Sequence, residues 1–181
     1  MLKSKLRSKL IKLRKSKFNK NFKINFQKIK YLIHKSNLKK PIIGGYYPVN
    51  YEIDCLEILE NLEKQKFRIC LPKIKKNNLM NFYEYSFKDP LTINKYGIPE
   101  TISKNIIIPD ILLVPLLGFD KKRFRLGYGG GYYDRYIDKF ENKKKIFTIG
   151  LAYSFQCVEK LPVENFDKKL NCIITNKKIY K

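Results

Sequence analysis

The stretch that most narrows the choice of fold lies between positions 110 and 140. After Asp110 come nine uncharged residues, ILLVPLLGF at 111–119, the first four of which read as a short strand buried on both faces. Gly127, Gly129, Gly130 and Gly131 then place four of the nine glycines inside five residues, and positions 132–140 carry a helical pattern. A buried strand, a glycine-rich loop and a helix in that order predict an open α/β sheet with the loop at the carboxyl ends of its strands. Glycines let backbone N–H groups come close to an anion, and a helix N-terminus adds unpaired donors and a favourable dipole. The loop is not a Walker A motif, because no Gly-Lys-Ser/Thr follows, and it is not G-x-G-x-x-G, because Tyr132 stands where the last Gly belongs. Taken alone it reads equally as a structural turn or helix cap and as a phosphate cradle.

The rest of the chain after Pro41 agrees with this architecture. Residues 42–47 read as a strand. Ile53, Leu56, Leu59 and Leu62 recur every three residues among Glu57, Glu60 and Glu63, giving an amphipathic helix, and 67–71 reads as the next strand, completing a βαβ unit. Residues 79–87 alternate weakly, as an edge strand does; 96–99 read as a loop; 145–151 and 172–175 read as two further strands. With 181 residues the chain can bury roughly 70% of its unfolded surface, enough for one core. The expectation is a single domain over 1–181, a three-layer open, largely parallel α/β sheet with flanking helices. Residues 1–40 form a basic helical element on that core: Leu2, Leu6, Leu10 and Leu13 make one apolar stripe, and Phe22, Phe26, Ile29 and Ile33 a second, ending before Pro41.

Charge needs two explanations weighed against each other. There are 39 basic and 16 acidic residues, a net +23; 15 of the basic residues fall in positions 1–40, and the first acid is Glu52. Such an excess ordinarily points to nucleic acid or an anionic membrane. Yet 33 Lys against 6 Arg, 23 Ile, 15 Asn, one Ala and no Trp is the profile that an AT-rich genome imposes on any protein. The nine-residue apolar run falls far short of the roughly 20 that span a bilayer, and lysines interrupt every apolar run of the N-terminus, which argues against secretion and predicts a cytoplasmic protein. Cys55, Cys70, Cys157 and Cys172 are widely spaced and His34 is the only histidine, so neither a zinc site nor a disulfide framework is expected, and histidine acid–base chemistry is excluded. A non-enzymatic nucleic-acid-binding module, using an acid-free N-terminus interleaved with Tyr and Phe, is the alternative reading.

The full string around the glycines decides between them. Gly118-Phe119-Asp120, then Arg125-Leu126-Gly127 and Gly129-Gly130-Gly131-Tyr132-Tyr133-Asp134-Arg135, resembles the signature of the 5-formyltetrahydrofolate cyclo-ligase (5,10-methenyltetrahydrofolate synthetase) family. Lys3-x-x-Leu6-Arg7, residues 46–54 with Glu52, residues 96–100 and Leu161-Pro162-Val163-x-x-x-Asp167 resemble further family elements, so the likeness spans nearly the whole chain. It implies a monomeric enzyme that uses ATP and Mg2+ to convert 5-formyltetrahydrofolate, with or without a polyglutamate tail, to the 5,10-methenyl form. The formyl oxygen attacks the γ-phosphate, N10 attacks the activated carbon, and phosphate departs as the ring closes. The protein's part is positioning and charge neutralisation.

The resemblance also implies site residues. Lys3, Arg7, Arg125, Leu126, Gly127, Tyr128, Gly129, Gly130, Gly131, Tyr132 and Tyr133 would bind ATP, with Arg125 catalytic. Tyr47, Glu52 and Tyr132 would bind the folate, and Asp134 and Asp167 the metal. Each has a plainer reading. Lys3 and Arg7 can be a solvated helix face, Asp134 and Glu52 first-turn helix charges, and Tyr47 ordinary strand packing. Three departures from the family pattern stand out: Lys121-Lys122-Arg123-Phe124 occupies a stretch that usually holds a Gly, Thr101 follows Glu100 where Pro is common, and Asn171 replaces an acidic residue. No proposed ligand is lost by any of them.

Overall fold

The computed structural model describes residues 2–19 and 21–181. In chain order the elements are α1 (Lys3–Lys17), α2 (Phe26–Lys35), β1 (Ile43–Gly44), α3 (Leu56–Lys64), β2 (Ile69–Ile74), β3 (Met80–Tyr85), β4 (Leu91–Ile93), β5 (Pro99–Thr101), β6 (Ile111–Pro115), β7 (Gly118–Phe119), β8 (Arg125–Leu126), α4 (Tyr132–Glu141), β9 (Phe147–Ala152), β10 (Cys172–Thr175) and β11 (Ile179–Tyr180). Seven strands form one sheet in the order β11-β10-β9-β6-β1-β2-β3. The five central strands are parallel, with Ile43 opposite both Ile69 and Ile111 and Leu113 opposite Ile149, while β3 and β11 close the edges antiparallel. From β1 the chain crosses through α3 to β2 on one side, and later continues with β6 on the other. The order reverses there, and a reversal of this kind opens a crevice beyond the carboxyl ends of the two strands.

The uncharged run at 111–119 follows from burial on both faces. Ile111 and Leu113 pack with Ile29, Leu32 and Ile33 of α2 and Ile58, Leu59 and Leu62 of α3; Leu112 and Val114 point the other way, to Tyr136 and Phe140 of α4. Three layers result, as the sequence predicts. Each large apolar side chain fully buried here stabilises the fold by about 1.5–3 kcal/mol. Of the second stripe, Ile29 and Ile33 are buried and Phe26 is half-buried, but Phe22 is exposed and lies before the helix, because Asn25 caps α2 by accepting from the Gln27 amide at 2.8 Å.

The first stripe is shorter than predicted. Leu6 and Leu10 join Leu117, Leu126 and Leu161 in a small core of their own, with Leu13 half-buried against it, but Leu2 is 69% exposed, and the fully buried residue of the next turn is Arg14. Contact is close: a Cβ on Gly118 would come within 2.6 Å of Leu10 Cδ1, so α1 lies directly on the hairpin formed by β7 and β8. The predicted strand at 42–47 is only two residues long, because the chain leaves the ladder after Gly45 and folds back, Tyr46 Oη donating to the Ile53 carbonyl at 2.7 Å. The predicted loop at 96–99 is the turn of the β4–β5 hairpin, built on Asn94 Oδ1, which accepts from the Tyr96 and Ile98 amides.

The missing glycine between Asp120 and Arg125 is resolved by strain. Asp120 accepts from the Arg123 amide with its carbonyl at 2.9 Å and from the Phe124 amide with Oδ1 at 3.1 Å, which forces Arg123 to φ 71°, the left-handed region that glycine prefers. Its Nε is also buried with no acceptor among the described residues. A left-handed non-glycine residue costs roughly 1–2 kcal/mol. Arg123→Gly is therefore expected to stabilise the protein by about 1 kcal/mol, read as a rise of roughly 2–4 °C in thermal midpoint.

Candidate active site

A cavity of about 980 Å3 occupies the crevice at the strand-order reversal, bounded by the ends of β1 and β6, the N-terminal part of α1, the glycine loop, the β4–β5 hairpin and the loop around residue 166. Sites for small molecules commonly measure roughly 300–1,000 Å3. Every site residue expected from the sequence lines it: Lys3, Arg7, Tyr47, Glu52, Arg125, Leu126, the loop 127–131, Tyr132, Tyr133, Asp134 and Asp167. Residues from six separate parts of the chain thus meet in one cleft, which brings cations and glycines together with tyrosines and Glu52.

The cationic side is built by α1 and the loop. Arg7 Nε donates to the Gly127 carbonyl at 3.0 Å, and its guanidinium lies where a Cβ on Gly129 would project, 3.3 Å from Cζ. Gly129 and Gly131 have φ of 105° and 64°, conformations that L side chains avoid. Gly131 is the N-cap of α4, and no side chain caps that helix among the described residues, so its first-turn amides keep their donors for an anion. Lys3 Nζ meets Asp167 Oδ2 at 2.6 Å and Glu164 Oε2 at 3.1 Å. Burial disfavours its charge, but the bonds to these two carboxylates outweigh that and raise its pKa. Lys3 therefore sits on Asp167 itself.

Arg125 is buried and binds in two directions, Nη1 to the Lys168 carbonyl at 2.9 Å and Nη2 to Asp134 Oδ1 at 2.8 Å. Burial pulls its pKa down while Asp134 pulls it up. The Lys168 amide donates to the same Asp134 oxygen at 3.1 Å, so one ion pair ties α4, β8 and the C-terminal loop together. Asp167 Oδ2 likewise accepts from the Glu164 amide at 2.7 Å. Among the described residues no group of three acidic, histidine or cysteine side chains is placed to hold a metal alone.

Glu52, in the same cleft, is only 7% exposed, and its Oε2 accepts from the Val49 amide at 2.9 Å. Burial raises its pKa to about 7, against the lowering effects of that amide and of Arg14. Tyr133 is pushed well above the ordinary tyrosine value by burial and by Glu52, and so stays neutral. Tyr132 is stacked under Arg135 at the rim.

Arg14 is the residue that the sequence reading missed. It is 1% exposed, donates from Nη1 to the Leu116 carbonyl at 3.2 Å and from Nη2 to the Tyr128 hydroxyl. Arg135 Nη2 donates to the Gly130 carbonyl. Four of the six arginines, Arg7, Arg14, Arg125 and Arg135, thus touch or adjoin the glycine loop. The signal was present: arginine is scarce in a lysine-rich chain, and Lys3, Arg7 and Arg14 fall on one helical face.

Fold and cleft define a doubly wound α/β protein with a glycine-rich loop at its switch point. The sequence model of the 5-formyltetrahydrofolate cyclo-ligase family matches residues 1–176, and the chain belongs to that family. It is 36% identical to the 5-formyltetrahydrofolate cyclo-ligase of Haemophilus influenzae over 71% of this chain and 72% of that one, and 32% identical to that of Mycoplasma genitalium over 85% and 82%. Among solved structures, the 5,10-methenyltetrahydrofolate synthetase of Aquifex aeolicus superposes with a TM-score of 0.73 at 29% identity, covering 100% of this chain and 93% of the other; the one from Mycoplasma pneumoniae gives 0.69 at 27%, covering 97% and 99%. The nucleic-acid-binding alternative has no support in these likenesses. Among the described residues no helix is long and apolar enough to cross a membrane.

Glu52 carries a stability cost that depends on pH. Its folded pKa lies above the unfolded value, so the folded state binds the extra proton between about pH 4.5 and about pH 7, and stability falls as pH rises through that window. Glu52→Gln is expected to melt several degrees above the parent at pH 8, on the order of 1–3 kcal/mol, with the gap closing by pH 4.5.

Proposed function

We propose that this chain closes 5-formyltetrahydrofolate to 5,10-methenyltetrahydrofolate at the expense of ATP, with ADP and phosphate as the other products. The observation that carries this reading is the single cleft of about 980 Å3 that gathers the glycine-rich loop, Lys3, Arg7 and Arg125 together with a buried carboxylate, Glu52, and several tyrosines, with room for two substrates. A formamide oxygen is a poor leaving group. Transfer of the γ-phosphoryl group to it makes phosphate the leaving group; N10 then adds to the formyl carbon, phosphate leaves, and the N10 proton is released to solvent.

The residues have positional tasks. Amides of residues 127–131 and of the first turn of α4 hold the phosphates, and Arg7 and Lys3 supply positive charge along the same line. Arg125 neutralises charge that develops in transfer and keeps Asp134 in place. Glu52 accepts hydrogen bonds from the amino-pyrimidine edge of the pterin, and Tyr47 and Tyr132 offer flat surfaces to its ring. Action as a monomer is part of this reading, and the four free cysteines suit a reducing, cytoplasmic setting. The lysine-rich surface suits the acidic tail of a polyglutamylated substrate.

Magnesium fits this donor set in one way only. Asp134 and Asp167 each commit one oxygen to a cation and a backbone amide, and the second oxygen of each has no donor among the described residues. Two carboxylates of this kind suit an ion shared with substrate phosphates and water rather than an all-protein cage. Such an ion would offset phosphate charge beside Arg125.

The direct test follows the near-ultraviolet absorbance of the methenyl product from 5-formyltetrahydrofolate. It is expected to rise only with ATP present and to stop on chelation of magnesium; a folded preparation with no turnover overturns the reading. Arg7→Ala is expected to raise KM for ATP about tenfold or more while moving the thermal midpoint by no more than about 2 °C, since this half-buried side chain makes its bond to the loop rather than to the core.

A further inference from the structure

Arg14 has no task in the chemistry above, yet its burial is costly. A guanidinium removed from water must recover its lost hydration through hydrogen bonds, and this one recovers it incompletely: Nε has no acceptor among the described residues. The Leu116 carbonyl that takes Nη1 has a second donor, Gln156 Nε2 at 2.9 Å, so packing at the end of β6 does not depend on Arg14. What depends on it is Tyr128, in the middle of the glycine loop, which receives Nη2 and lies with its ring centroid 5.5 Å from the guanidinium carbon. Tyr128 lines the cleft together with Asn50, which belongs to the turn that carries Glu52, and both Asn50 and Tyr51 in that turn are left-handed, at φ 48° and 63°.

We propose that Arg14 is a positioning residue for the reaction: through Tyr128 it holds the phosphate loop and the Asn50–Glu52 turn in one register, so that α1 joins the two halves of the cleft. The inference rests on the proposed division of the cleft into a nucleotide half and a folate half. Electrostatics agree. Tyr46 beside β1, Cys55 before α3, Tyr128 in the loop and Tyr133 in α4 surround Glu52, all with pKa values raised by burial, and Arg14 is the cation that opposes the rise at Glu52.

The test measures ATP binding by calorimetry in Arg14→Gln, Tyr128→Phe and the double variant, well below their melting temperatures. Each single change is expected to weaken ATP about five- to tenfold, and the double variant to be no weaker than the worse single, because both break one contact. Tyr128→Phe removes one hydroxyl from a partly exposed side chain, which keeps the test open even where Arg14→Gln fails to fold. Wild-type affinity in Tyr128→Phe, or losses that multiply in the double variant, overturns the proposal. Turnover adds a readout that core packing would not move: the acid limb of kcat/KM for 5-formyltetrahydrofolate is expected to shift upward by half a pH unit or more in Arg14→Gln and to return in Arg14→Lys. An unmoved limb removes the link to Glu52. Failure of the parent protein to turn over while binding ATP would count against the folate assignment alone, since calorimetry still decides the loop contact.

Discussion

The arrangement of the cleft depends on the docking of α1 onto the β7–β8 hairpin. Leu6 and Leu10 drive it, and Gly118 permits it by leaving no side chain between helix and hairpin. Once the helix is seated, its polar groups have fixed addresses: Lys3 at Asp167, Arg7 at Gly127, Arg14 at Tyr128. Apolar burial supplies the free energy, and the cations convert it into geometry. The loop itself contains too little apolar surface to hold one conformation, and two of its glycines sit at positive φ. Its order is borrowed from a helix more than a hundred residues away in sequence.

The same economy recurs at the opposite end of the loop. Arg125 and the Lys168 amide share one oxygen of Asp134, so the first turn of α4, the hairpin and the C-terminal loop are tied through a single carboxylate. Buried charges of this kind contribute little net stability, because desolvation offsets attraction. Their value lies in exclusivity: an arginine fork and a carboxylate fit together in few ways, which holds the elements around the cleft in one arrangement.

The layered sheet was legible because its signal is local. The continuous apolar run at 111–114 and the three-residue spacing of Leu56, Leu59 and Leu62 follow directly from which faces are buried, although α3 begins at Leu56 and leaves Ile53 in the segment before it. Elements defined by partners were less visible. The strand at 42–47 shortens because Gly45 and Tyr46 turn toward α3, and two-residue strands such as β7 and β8 have no pattern of their own. Arg123 illustrates the limit well: the absence of glycine was plain in the sequence, but only the hydrogen bonds to Asp120 reveal that the turn keeps its shape and strains the residue instead. In the site, the glycine loop and its flanking residues were readable as a string, whereas Arg14 was hidden among lysines. Which cations face inward is settled by helix docking, and docking is a tertiary event.

The convergence of four arginines on one loop reaches beyond this cleft. In a coding sequence drifting toward A and T, single-base changes readily turn arginine codons into lysine codons, and a solvated surface does not resist them. An arginine survives such drift where a planar fork, and not merely a positive charge, is required. Where base composition is this skewed, the scarce member of such a pair points first to the places where its geometry is used, as four of these six arginines do.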